Sequence, residues 1–311
     1  MGRGMLAVLD PSAPATELPL DVAFPVLHGP GGEDGTIQGL LELAGIPYVG
    51  AGVPASSVGM DKALMKALFA HAGIPVCAYC VIPHRRWRVD PERIQGETLE
   101  ALGLPCFVKP ANLGSSVGIS RVTDTGAFPD AMELAFEHDR KVVVEEAVSG
   151  REVECSVLGN DDPAASVPGE IIPCEEFYSY SAKYLKPSDL RIPAPLEAAT
   201  VDRVRDLAIR SFQAIDCRGM ARVDFFVRAD GTVLVNEINT IPGFTAISMY
   251  SKLWEASGIP YPQLLDRLIE LALEAAAEGR SGAGVQGGRG EASASNAEHR
   301  TPNAEVNGSG A

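Results

Sequence analysis

Apolar positions recur along the chain with two periods, so strand and helix patterns are mixed from end to end. Short apolar runs at 5–9 and 21–27 read as buried strands. Ile37, Leu40, Leu41 and Ala44 fall on one helical face, and a turn with a short strand follows at 45–50. A second helix is expected over 60–72 with Lys62 and Lys66 on its exposed side, then a strand over 74–82. Beyond a basic, solvated connection at 83–88, apolar strands lead up to Lys109 and away from Gly118. Helical spacing returns at 130–138, strand spacing at 141–158, and a long helix is expected over 196–215. Helices carrying Met249, Leu253 and Trp254, and then Leu264, Leu265, Leu268, Ile269 and Leu273, close the core by residue 277. Residues 280–311 lose all periodicity and read as a disordered tail. The mixture indicates an α/β or α+β protein.

One stretch carries chemistry in its pattern. Arg222 to Asn239 places two β-branched and aromatic runs around Asp230-Gly231, the signal for a two-residue hairpin turn. That turn sets Val227 opposite Leu234, Asp224 opposite Glu237 and Arg222 opposite Asn239, with Phe225 and Val227 facing a core. Like charges directly opposite on paired strands repel, so a positive group is expected between Asp224 and Glu237. Two carboxylates and an amide oxygen suit a hard cation such as Mg²⁺, and Arg222 beside them would hold an anion. A solvated acidic hairpin face has the same pattern, and these residues alone leave both readings open.

Composition narrows the partners. The chain has 311 residues, 46% hydrophobic and 22% charged, enough for two or three cored domains. A net charge of −15 argues against nucleic acid, so any phosphate handled is expected to be small and metal-bound. No apolar run is long enough to span a bilayer, and the N-terminus lacks a signal-peptide core, which makes a cytoplasmic protein the expectation. The six cysteines show no zinc spacing and read as reduced, space-filling thiols; Cys77 and Cys80, three apart on a strand, would point to opposite faces.

Three loops stand out. His28-Gly-Pro-Gly-Gly-Glu33 follows a strand, where α/β proteins place function, although both polar residues also fit an ordinary loop. Lys109 precedes Gly114-Ser-Ser-Val-Gly118 between two strands, which reads as a glycine-rich hairpin lid over phosphates rather than a P-loop. Residues 175–189 are aromatic, polar and aperiodic, like a long functional loop.

Taken together, His-Gly-Pro-Gly-Gly-Glu-Asp-Gly at 28–35, Met-Asp-Lys at 60–62, Val-Lys-Pro-Ala-Asn-Leu-Gly-Ser-Ser-Val-Gly at 108–118, Ala-Lys-Tyr at 182–184 and Asn-Glu-Ile-Asn-Thr-Ile-Pro-Gly at 236–243 closely resemble the D-alanine–D-alanine ligases. The resemblance spans most of 20–275 and implies an ATP-grasp fold: an N-terminal domain at 1–59, a first ATP-grasp subdomain at 60–145 and a second at 146–279. It implies that Lys62, Lys109 and Lys183 contact ATP phosphates, that Glu145, Glu146 and Val148 line the adenine and that Glu152 holds the ribose. Asp224, Glu237 and Asn239 match ligands for two Mg²⁺ ions, with Mn²⁺ also possible. Arg222 corresponds to the oxyanion stabiliser, Ser115 and Tyr184 to the polar pair over the substrates, and His28 and Ser248 to contacts of the first and second D-alanine carboxylates. A homodimer is implied as well. The family's usual first strand, glycine-rich turn and Glu-bearing helix have no match, so an incomplete N-terminal α/β domain is expected. A start at an internal Met is the favoured explanation. A non-catalytic ATP-binding remnant, or another ATP-grasp carboxylate–amine ligase, are the alternatives.

Overall fold

The computed structural model describes residues 5–8, 16–114, 117–172, 189–245 and 248–284. Strands β1 (Met5–Val8) and β2 (Thr16–Pro19) form an antiparallel pair. The strand expected at 21–27 is absent: one parallel bridge joins Ala23 to Tyr48, and Pro25 interrupts any longer ladder. Helix α1 (Thr36–Leu43) forms as the spacing predicts, yet it buries only Gln38 and leaves Leu40 and Leu43 60% and 92% exposed.

Helix α2 (Val53–Met60) was not foreseen, because Ser56, Ser57 and Gly59 weaken its signal; Pro54 in its first turn fits a helix start. Helix α3 (Lys62–His71) is capped by Asp61, whose Oδ1 accepts from the Ala63 and Leu64 amides at 3.0 and 3.1 Å. Lys62, Lys66 and Phe69 share its inner stripe, so both lysines are buried, against the exposed placement expected for them.

After β3 (Tyr79–Pro83), the supposed solvated connection is helix α4 (His84–Val89), held by buried Trp87, whose Nε1 donates to Glu133 at 2.6 Å. There follow α5 (Pro91–Leu102), β4 (Cys106–Pro110), β5 (Ser120–Val122), α6 (Phe128–Phe136) and β6 (Lys141–Glu146). The strands assemble in the order β3-β6-β4-β5, all antiparallel. Ile82, Val108, Val142 and Val144 pack beneath α4 to α6.

The second sheet contains β7 (Arg151–Gly159), β8 (Ala164–Ala165), β9 (Gly169–Ile172), β10 (Asp189–Arg191), β11 (Gly219–Val227) and β12 (Val233–Asn239) in the order β10-β9-β7-β11-β12, with β8 on β7. Its inner face, with Val153, Val157, Val223, Phe225 and Val235, packs on α3 and on α7 (Ala198–Ala214). Helices α8 (Met249–Ala256) and α9 (Tyr261–Gly284) cover part of the opposite face through Tyr250, Trp254, Leu264 and Leu268. The described residues up to Ala276 form one compact unit, and those from Ala277 belong to a second. Helix α9 runs beyond the expected limit, to Gly284, and the rest of the expected tail lies outside the described residues.

The β11–β12 hairpin reaches the expected site register by an unexpected route. Its loop has three residues, not two: the Arg228 amide donates to the Thr232 carbonyl at 2.9 Å, and Gly231 takes φ +83°. Val227 therefore pairs with Val233 rather than Leu234. A bulge then leaves Asn236 unpaired in the ladder and restores Asp224 to Glu237 and Arg222 to Asn239.

Candidate active site

Because β7, β11 and β12 are in register, Glu154, Asp224 and Glu237 lie side by side on the face away from α7. Arg222 Nε lies 2.7 Å from Asp224 Oδ1 and 3.0 Å from Glu154 Oε2, and its Nη2 donates to Asp224 Oδ2 at 2.8 Å. Asn239 Nδ2 donates to the same Oδ2 at 3.0 Å. Burial alone would lower the guanidinium's pKa, but Asp224 and Glu154 hold it well above the usual arginine value. Glu237 has the Lys62 ammonium at 3.8 Å. The positive charge demanded between the opposed carboxylates is thus supplied in this structure by Arg222 and Lys62. Among the described residues no three His, Cys, Asp or Glu side chains form a metal-binding group by themselves. Glu154 was missed by the sequence reading, though core positions Val153, Cys155 and Val157 place it on the site face.

A cluster of ammonium groups stands on the other side. Lys62 Nζ donates to the Leu113 carbonyl at 2.6 Å, and burial draws its pKa below the usual lysine range. Lys109 Nζ donates to Glu145 Oε2 at 2.6 Å. Lys66 Nζ lies 3.2 Å from Glu145 Oε1. Burial would raise the Glu145 pKa, but Lys109 and Lys66 overcome it and bring it down to about 2. Glu146 Oε1 accepts from the Ala78 amide at 3.0 Å and from Arg228 at 3.2 Å. Val148 lies half-buried in the link from β6 to β7, and Glu152 is half-buried on β7 opposite Phe226.

The His28 loop is folded against the hairpin's end, with His28 Nδ1 3.1 Å from the Ile241 carbonyl. Glu33 Oε2 accepts from the Gly29 amide at 2.6 Å, and burial raises its pKa, with Glu237 adding to the rise. Asp34 accepts from the amides of Gly31 and Thr36 at 2.8 and 3.0 Å, which fixes the loop's exit into α1. Ser248, at the start of α8, accepts from the Thr245 amide at 2.8 Å. Ser115, Lys183 and Tyr184, together with the loop from 175 to 188, lie outside the described residues.

A family model described as D-ala D-ala ligase C-terminus matches residues 68–270, and one described as D-ala D-ala ligase N-terminus matches residues 5–51. The chain belongs to the D-alanine–D-alanine ligase family. Among D-alanine–D-alanine ligases, that of Heliobacterium modesticaldum is 53% identical over 283 residues, covering 88% of this chain and 77% of its own. That of Acetivibrio thermocellus is 55% identical over 257 residues, covering 82% and 68%. The solved D-alanine–D-alanine ligase of Coxiella burnetii superposes with a TM-score of 0.79 at 40% identity, covering 91% of this chain and 77% of that one. The VanG D-Ala:D-Ser ligase of Enterococcus faecalis gives 0.75 at 41% identity, covering 83% and 74%. The two antiparallel sheets joined by the β6–β7 link are those of the ATP-grasp fold.

Proposed function

We propose that this chain joins two D-alanine molecules, at the expense of ATP, to D-alanyl-D-alanine for cell-wall precursor synthesis. The observation that carries the reading is the 3.8 Å approach of Lys62 to Glu237, which brings the ammonium groups of α3 and β4 against the carboxylate row of the second sheet. Phosphates bound there would meet lysines on one side and metal ligands on the other.

In this reading Lys62 and Lys109 hold the phosphates, Glu145, Glu146 and Val148 line the adenine, and Glu152 binds the ribose. Asp224, Glu237 and Asn239 offer hard oxygens for two Mg²⁺ ions, or Mn²⁺, which would complete their shells from phosphate and water and neutralise the charge that builds on transfer. The first D-alanine, its carboxylate near His28, attacks the γ-phosphate; the bond to the β–γ bridging oxygen breaks, ADP leaves, and an acyl phosphate results. The second, its carboxylate near Ser248, attacks that carbonyl through its amine, and Arg222 stabilises the tetrahedral oxyanion before phosphate leaves. Ser115, Tyr184 and Lys183 are assigned to substrate positioning and phosphate charge on the closing side, where water must be excluded from the acyl phosphate. No helix among the described residues is long and apolar enough to cross a membrane, and we place the enzyme in the cytoplasm as a homodimer.

The test is ADP release from the 311-residue chain with Mg²⁺-ATP, with and without D-alanine, the product being weighed by mass spectrometry. ADP and dipeptide formed only with D-alanine support the proposal. Nucleotide binding without either product would favour the ATP-binding remnant, and a mixed product with D-serine would move the assignment of the second substrate.

A further inference from the structure

Lys66 has no role in the mechanism above, yet it is the most deeply buried charged side chain near the site, at 0% exposure. Its ammonium touches both sheets. Glu145 Oε1 of β6 lies 3.2 Å away, the Asn236 carbonyl of β12 3.5 Å, and Cys77 Sγ 3.4 Å. The Tyr79 ring centroid lies 5.8 Å from it. Asn236 is the bulged residue, immediately before Glu237, whose extra length puts Asp224 and Glu237 opposite each other.

Glu145 is shared between two lysines of unequal freedom. Among the described residues, Oε2 takes the hydrogen bond from Lys109, whereas Oε1 faces the Lys66 ammonium at 3.2 Å. A phosphate that draws Lys109 toward itself must compete with Glu145, which is 2% exposed and has little water to replace a lost partner. A second ammonium on the other oxygen removes much of that competition.

We propose that Lys66 is a positioning residue of the nucleotide site: it keeps Glu145 neutralised so that Lys109 is free for phosphate, and it ties that lysine to the bulge that presents Glu237. The proposal rests on the reading of Lys109 as a phosphate ligand. In this role Lys66 acts through its contacts with Glu145 and the Asn236 carbonyl.

Substituting Lys66→Met retains the unbranched stem and removes the charge. ADP affinity by calorimetry and KM for ATP are expected to weaken about tenfold or more, the loss typical of removing a supporting partner behind a ligand. KM for D-alanine should stay within about twofold, since the His28 and Ser248 contacts are untouched. Combining Lys66→Met with Glu145→Gln removes the carboxylate that would retain Lys109 and should recover part of the lost ADP affinity; Lys66→Arg should recover part of it too. A folded Lys66→Met protein with unchanged ADP affinity, or a double variant no better than the single one, overturns the proposal. If Lys66→Met does not fold, Lys66→Gln, which also removes the charge, takes its place in the same comparison: weakened ADP affinity that is partly recovered on adding Glu145→Gln supports the proposal, and unchanged affinity overturns it. Lys109→Met is the control. Weakened ADP binding there with none on Lys66→Met sinks the positioning role alone, and unchanged binding on Lys109→Met sinks the phosphate assignment beneath it.

Discussion

Glu145 shows how strongly a single buried charge is governed by its neighbours. Its carboxyl falls from an ordinary 4.5 to about 2 because two lysines outweigh the burial that would raise it. A group whose folded pKa is depressed adds stability above its unfolded pKa and loses it as pH falls toward the folded one. Wild-type unfolding free energy should therefore drop by on the order of 3 kcal/mol between about pH 5 and pH 2 from this group alone. Glu145→Gln should lack that component, and urea melts of the two proteins across the range check it. At this scale the sequence was legible in the pairing of Asp224 with Glu237 and of Arg222 with Asn239. It was misleading at Lys62 and Lys66. The rule that lysines face water overrode the fact that they share a helical stripe with Phe69.

Elements are set as much by backbone constraints as by side-chain pattern. Gly35 precedes α1 at φ +93°, and a Cβ there would lie 2.5 Å from Ser57 Oγ and 3.0 Å from the Val53 carbonyl. Gly35→Ala should cost about 1–3 kcal/mol and displace the His28 loop. Thermal melting reads the first effect, and a KM for D-alanine rising more than that for ATP reads the second. The hairpin teaches a related lesson. A three-residue loop shifts the pairing by one and the bulge at Asn236 shifts it back, so the site register came out as expected although the turn did not. Neither departure has a signature that alternation alone reveals. Helix α4 was hidden because its three arginines look solvated, and only the Trp87 to Glu133 bond shows that one face is held.

For the whole molecule, surface and core divide unevenly. Most large apolar side chains are packed in the layers around the two sheets, whereas Leu40 and Leu43 stand out on α1. Replacing both with lysine should change unfolding free energy by no more than about 0.5 kcal/mol each. It should also lower binding of an apolar dye and raise solubility, checked by fluorescence and light scattering. The fold class followed from mixed periodicities, but the sheet order did not, because it depends on which strands meet across long stretches of chain. That dependence reaches the chemistry. Asp224 pairs with Glu154 across 70 residues of sequence, but with Glu237 across a short hairpin. Two of the three carboxylates in the row can come together early and locally, whereas the third, contributed by β7, waits on a slow, distant encounter. During synthesis or refolding, Arg222 gains its second carboxylate only once that encounter is complete, so a chain that has closed only the hairpin sets Asp224 opposite Glu237 while the guanidinium is still anchored from one side alone.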